Sequence, residues 1–264
     1  MTATIDNPWF AHAKPRAGAR VRLFCFPYAG GSAVIFRNWA KVLPQSVEVC
    51  PIQLPGRGAR VREEPFTSMS RLVDALATAS SAHLDKPFAF FGHSMGATIS
   101  FELAHKLYVE RGLHPVHMFV SGRRAPQIPD DEPPTFNLPD HEFVEELRRL
   151  EGTSPAILCN RELLEVLLPL LRADFELIQA YQYRARSRLE CPIMAMGGLA
   201  DKDVSQEQLE AWRKQSTGQF NIHMFPGNHF FLHEEEKKIL QIIERQLSPP
   251  RIPVATDDQG LSPL

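Results

Sequence analysis

The chain has 264 residues, 44% of them hydrophobic, enough to bury one full core as a single domain with room for an inserted subdomain. Lysine and arginine total 29 against 31 acidic residues, a net charge of −2, which gives no footing to a nucleic-acid binder or a polybasic membrane surface. Residues 1–20 lack a long apolar stretch and no segment approaches the ~18 apolar residues of a membrane span; Cys25, Cys50, Cys159 and Cys191 form no Cys-x-x-Cys pair, so a cytoplasmic chain without a disulfide framework is expected.

In chain order, short apolar runs predict strands at 21–26, 47–52, 88–91, 118–121, 193–196 and 222–225. Helical spacing fills the gaps at 33–43, 69–83, 97–111, 207–214 and 236–246. Leu72, Val73, Leu76 and Ala79, for example, fall on one face. Strands alternating with amphipathic helices predict an α/β protein with a mainly parallel sheet.

The alternation breaks between about 127 and 188. A Pro-rich connection (Pro126, Pro129, Pro133, Pro134) leads into helix-like runs with no strong strand signal. Asp140 is placed to N-cap a helix carrying Phe143, Val144 and Leu147, and Asn160 to cap a second helix beginning at Arg161. An insertion of this size between two sheet strands reads as a helical lid. One domain over 1–247 is therefore expected, followed by a Pro-rich, disordered tail at 248–264.

Gly92-His93-Ser94-Met95-Gly96 stands directly behind an apolar strand and ahead of a helical pattern. Gly-x-Ser-x-Gly in that context reads as a nucleophile elbow, a tight strand-to-helix turn whose glycines let neighbouring backbone crowd in. Serine is a weak nucleophile by itself and needs a histidine base oriented by a carboxylate, in the chain order Ser, acid, His.

His229 is the expected base, because Gly227-Asn228-His229-Phe230-Phe231 is a loop just after the strand at 222–225. His223 lies inside that strand, His233 sits among Glu234, Glu235 and Glu236 facing solvent, and His93 supports the turn. For the acid, the loop after the strand at 193–196 offers Asp201 and Asp203. Asp201 is preferred as the nearer to the strand end, leaving Asp203 as a polar loop residue. Oxyanion donors are expected from the backbone amides of Met95, which follows the nucleophile, and of Ala29, in the Gly-Gly turn after the first strand. Ser32 is placed to cap what comes next.

Phe26-Pro-Tyr-Ala-Gly-Gly-Ser32, Leu54-Pro-Gly-Arg57, the elbow at 92–96, Leu168-Pro-Leu-Leu-Arg-Ala-Asp-Phe175, Asp201 with Val204 and Trp212, and Gly227-Asn-His-Phe-Phe231 resemble the type II thioesterases over about residues 20–247. These are stand-alone editing enzymes of polyketide and nonribosomal peptide synthesis, similar to the medium-chain thioesterase of fatty acid synthesis. The resemblance implies an α/β-hydrolase fold with a mainly parallel central sheet and an inserted helical lid. It also implies Ser94 as nucleophile, Asp201 as orienter, His229 as base, and Ala29 and Met95 as oxyanion donors. The implied substrate is an acyl group on the phosphopantetheine arm of an acyl or peptidyl carrier protein, with no cofactor or metal of the enzyme's own; the sequence leaves the oligomeric state open, with a monomer as the default expectation. Three other readings stay open. A small-molecule esterase would use the same triad, a chain-releasing thioesterase would be embedded in a synthase, and an inactive hydrolase fold would act as a binding scaffold.

Overall fold

A computed structural model describes residues 7–130 and 132–248. Six strands, β1 (Val21–Phe26), β2 (Val47–Pro51), β3 (Phe88–His93), β4 (His117–Ser121), β5 (Ile193–Gly198) and β6 (Phe220–Phe225), form one sheet in the order β2-β1-β3-β4-β5-β6, every pair parallel. All residues of β1 to β5 are buried, as expected of parallel strands covered on both faces. The alternation within β1 sorts the two cores. Phe24 and Phe26 join one cluster, while Val21, Leu23 and Cys25 join the other.

The first cluster packs under α2 (Met69–Ser80) and α3 (Met95–Arg111), with Leu209 of α7 (Gln206–Glu210) and Trp212 beyond it. On the opposite face, Trp39 of α1 (Trp39–Val42), α8 (Phe231–Glu234) and α9 (Glu236–Leu247) cover Leu23, Ala89, Phe119 and Met194. The order reverses at β1, which is flanked by β2 on one side and β3 on the other. In open parallel sheets such a switch opens a crevice at the carboxyl ends of the strands.

All six predicted strands form, and most run longer than their apolar cores. β3 continues through Gly92-His93 and β5 through Gly197-Gly198, where backbone pairing persists after the hydrophobic pattern has stopped. The helix expected at 33–43 is a 3-10 turn, Ala33–Phe36, followed by the single turn α1. Phe36 and Trp39 both pack edge-on against Phe91, and this anchoring shapes the segment more than helical propensity does. The helix expected at 207–214 is α7, capped reciprocally by Ser205 and Gln208, then a 3-10 segment. Trp212 turns inward there and its indole Nε1 donates to the Arg123 carbonyl at 2.7 Å.

Between β4 and β5 the inserted segment folds as α4 (Asp140–Arg149), α5 (Pro155–Leu158) and α6 (Arg161–Gln179), with a small apolar cluster of their own around Phe143, Leu147 and Leu171. Asn160 caps α6 as expected, accepting from the Leu163 amide at 3.1 Å. Asp140 does not cap α4. Pro139 takes the N-cap place, and Asp140 is the first helical residue, its carboxylate accepting from Arg172 at 2.6 Å. A carboxylate in the first turn still complements the helix dipole. The tail expected to be disordered lies, from residue 249 on, outside the described residues. Among those described, no helix is long and apolar enough to cross a membrane.

Three core histidines give the fold a pH dependence. Burial holds His93 well below the usual imidazole range and pushes His105 down to about 3 and His117 down to about 4. The unfolded chain takes up protons below about pH 6.5 that these folded residues refuse, so their stability is fully present above that pH and is lost as pH falls toward the folded values. Each such group is expected to remove about 1.4 kcal/mol per pH unit once the pH is well below 6.5. Urea unfolding between pH 7 and 5 checks this, and His117→Phe, which replaces the ring stacked on Phe119, is expected to give a shallower slope.

Candidate active site

The carboxyl ends of β1, β3, β5 and β6 converge on one cavity lined by Tyr28, Ala29, Ser94, Met95 and His229, with Leu171 and Phe175 of α6 over it. Ser94 has φ 51° and ψ −117°, one of two non-glycine residues with positive φ among those described. Backbone held there costs roughly 1–3 kcal/mol, so the surrounding structure must over-determine it. It does so at both ends of the turn, where the Ser94 amide donates to the Ser121 carbonyl at 2.7 Å and the Ser94 carbonyl accepts from Ala97 at 3.0 Å.

Gly96 explains the motif's second glycine. A Cβ there would stand 2.2 Å from the Phe26 carbonyl oxygen, so only glycine lets the start of α3 abut the end of β1. That contact brings Met95 beside the turn that carries Ala29. As the first residue of α3, Met95 has an amide without an intrahelical acceptor.

His229 and Asp201 meet as expected. Nδ1 of the imidazole lies 2.8 Å from Asp201 Oδ2; the Asp201 side chain is fully buried and that of His229 is 15% exposed, on the cavity side. Asp201 Oδ1 accepts from the amides of Asp203 at 2.9 Å and Val204 at 3.2 Å, which fixes the carboxylate from behind. With Nδ1 engaged, Nε2 is the nitrogen left for chemistry. Asp203 is not brought to the imidazole as a hydrogen-bond partner. Its Oδ1 accepts from Arg149 at 2.8 Å, and through that bond α4 is tied to the Asp201 loop.

The other histidines go elsewhere. His93 is buried beneath the elbow, its Nδ1 2.8 Å from Ser121 Oγ, in the supporting role expected of it. His223 faces outward from β6. His233 is exposed, with Nε2 3.0 Å from the Tyr28 hydroxyl. Asp201, Asp203 and His229 lie close enough together to suggest a metal site among the described residues. Of these, Asp201 Oδ2 and His229 Nδ1 are bonded to each other, and Asp203 Oδ1 accepts from Arg149.

Tyr28–Gly31 is a closed turn, with the Gly31 amide donating to the Tyr28 carbonyl at 2.9 Å and Gly30 at φ +75° in the third position, as in type II. Ser32 accepts from Val34 at 3.4 Å and caps the 3-10 turn that follows. The Gly30 amide donates to Asp174 Oδ2 of α6 at 2.7 Å. Asp174 in turn forms a bidentate pair with Arg57, both contacts at 2.7 Å and both side chains buried. The reading of the residues gave neither Arg57 nor Asp174 a role. The signal was present: Asp174 falls in line with Leu167, Leu171 and Ile178 at helical spacing, and a carboxylate on an apolar face demands a buried partner.

The class that this fold defines is the α/β-hydrolase. Within that class, the chain belongs to the thioesterase family, whose domain matches residues 21–247. It is 46% identical over 241 residues to the gramicidin S biosynthesis protein GrsT of Aneurinibacillus migulanus, spanning 91% of this chain and 94% of that one. It is 48% identical over 249 residues to a protein of Brevibacillus parabrevis named linear gramicidin dehydrogenase LgrE, spanning 93% and 95%. Among solved structures it matches the type II thioesterase BorB of the borrelidin biosynthetic cluster with a TM-score of 0.82 at 36% identity, over 89% of this chain and 96% of that one. The enzyme is a hydrolase of thioesters.

Proposed function

We propose that this enzyme clears acyl groups from the phosphopantetheine arm of acyl or peptidyl carrier proteins, an editing role beside a peptide or polyketide synthase in the cytoplasm. The observation that carries the reading is the His229–Asp201 hydrogen bond of 2.8 Å at the cavity where Ser94 sits on its strained turn. The names of GrsT and BorB, tied to gramicidin S and borrelidin, support the same setting.

In this mechanism His229 Nε2 takes the Ser94 proton as Oγ attacks the thioester carbonyl. The amides of Ala29 and Met95 receive the oxyanion. Such a donor is worth about 3–4 kcal/mol where it has been removed from other acyl-transfer sites. As the tetrahedral intermediate collapses, the carbon–sulfur bond breaks and the imidazolium returns its proton to the sulfur. Water then attacks the acyl-enzyme, with His229 again taking a proton and giving it back to Ser94 Oγ as the acid leaves. Asp201 stabilises the transient imidazolium without itself being protonated. No step calls on a cofactor.

The test compares one acyl group in two settings. Purified enzyme is expected to turn over butyryl-loaded carrier protein at least about tenfold more efficiently, in kcat/KM, than the matching butyryl oxygen ester, a discrimination of about 1.4 kcal/mol. Equal efficiency on both would favour a small-molecule esterase, and failure of a fluorophosphonate to label Ser94 would favour an inactive scaffold.

A further inference from the structure

We propose that Asp174 and Arg57 are positioning residues that aim the oxyanion turn, so that the Ala29 amide is in place only while α6 is seated over the cavity. The inference rests on the reading of Ala29 as an oxyanion donor and goes beyond it, because neither side chain lines the cavity that holds Ser94.

Three bonds hold the turn. Tyr28 O accepts from Gly31 N at 2.9 Å, and because the peptide joining Tyr28 to Ala29 is trans, the Ala29 N–H points away from the interior of the turn. Asp174 Oδ2 accepts from the Gly30 N–H at 2.7 Å, and Arg57 Nη1 donates to the Gly31 carbonyl at 3.1 Å. The second bond selects the turn type. Types I and II differ by a flip of the central Ala29–Gly30 peptide, so the bond to Asp174 keeps that peptide's N–H facing α6, while the Ala29 N–H, carried by the preceding peptide, keeps its direction through the position of the whole turn, which Asp174 and Arg57 pin from outside. Gly30 has no side chain to resist that flip, so the restraint has to come from outside the turn.

Asp174 is itself held. Arg57 grips both its oxygens at 2.7 Å and anchors its own Nε on the Pro55 carbonyl at 3.2 Å. The side chains are 2% and 5% exposed, so the pair lies in a low-dielectric setting where loss of one partner strands the other. Asp174 lies one turn after Leu171 and directly before Phe175, two of the residues by which α6 covers the cavity. Displacement of α6 would therefore withdraw the carboxylate from Gly30. Seating of the lid helix and aim of the oxyanion amide are one event.

The test uses the full-length enzyme with two probes. One is the butyryl thioester of N-acetylcysteamine. The other is its trifluoromethyl ketone analogue, which accepts Ser94 Oγ at its carbonyl carbon while the serine proton passes to His229 and the ketone oxygen becomes an oxyanion. Asp174→Asn is expected to lower kcat roughly 10- to 100-fold, somewhat below the loss of a whole oxyanion donor, with KM little changed. The trifluoromethyl ketone should weaken by the same factor, while an unreactive thioether analogue binds as before. Arg57→Lys, which keeps the charge but not the fork, should retain more kcat than Arg57→Met.

The double variant Arg57→Met/Asp174→Leu swaps the ion pair for apolar side chains of similar bulk, an exchange often neutral for stability, and is expected to melt like wild type yet keep the kinetic defect. Wild-type kcat in that folded double variant, or equal weakening of both analogues, would overturn the clamp. Tight ketone binding by Ser94→Ala would instead overturn the serine mechanism on which the clamp depends.

Discussion

Ser94→Ala is expected to lower kcat on acyl thioesters by about 10⁴-fold or more, with the melting temperature almost unchanged. Oγ is the atom that opens the thioester in the mechanism above, and without it water would have to attack a carbonyl that no base has been positioned to serve. Residual turnover would come from the Ala29 and Met95 amides and from binding alone. The fold has little reason to respond, since the elbow is held by the backbone bonds of Ser94 to Ser121 and Ala97 and by the close approach of Gly96 to Phe26. Steady-state kinetics check the rate. Mass spectrometry of the quenched reaction should find an acyl adduct in wild type and none in the variant.

Asp201→Asn should cost about 10³- to 10⁴-fold in kcat, whereas Asp203→Asn, two residues along, should change it by no more than about threefold. The contrast follows from what each carboxylate touches. Asp201 Oδ1 can remain an acceptor for the Asp203 and Val204 amides after substitution, so the asparagine sits in the same place. Its other arm then presents an NH2 to His229 Nδ1. That forces the imidazole proton onto Nε2, the nitrogen that must accept the serine proton, and the base is lost to the wrong tautomer. Asp203 Oδ1 instead accepts from Arg149, so its loss loosens α4 while the imidazole tautomer stays set by Asp201. Parallel kinetics of the two variants on one thioester check the pair.

Much of this arrangement was legible in the sequence because parallel strands buried on both faces must be apolar throughout. Runs such as Val21–Phe26 have no competing interpretation once helices alternate with them. Where the edge strand β6 is half-covered the signal weakened, and Phe220 and Asn221 were missed at its start. The triad candidates were legible for a related reason. A residue that must stand at the carboxyl end of a strand can be sought there, and Ser94, Asp201 and His229 each follow a recognisable apolar run.

What stayed hidden was pairing across the chain. Nothing local says that Arg57 and Asp174, 117 positions apart, share a hydrogen-bonded fork. The same holds for Arg149 and Asp203, separated by 54. The misplaced cap at Asp140 has the same origin, since the carboxylate that could have capped its own helix is engaged by Arg172, a residue of another.

The bond between Asp174 and Gly30 joins residues 144 apart in the chain. During synthesis, β1, its glycine turn and the serine elbow leave the ribosome well before α6, and before the strands that deliver Asp201 and His229. Contacts of such sequence separation form late, after the loop-closure entropy between them has been met. A nascent or partly folded chain therefore carries an exposed serine but neither its base nor its oxyanion turn in working order. A thioester hydrolase built this way becomes competent only on completing its fold.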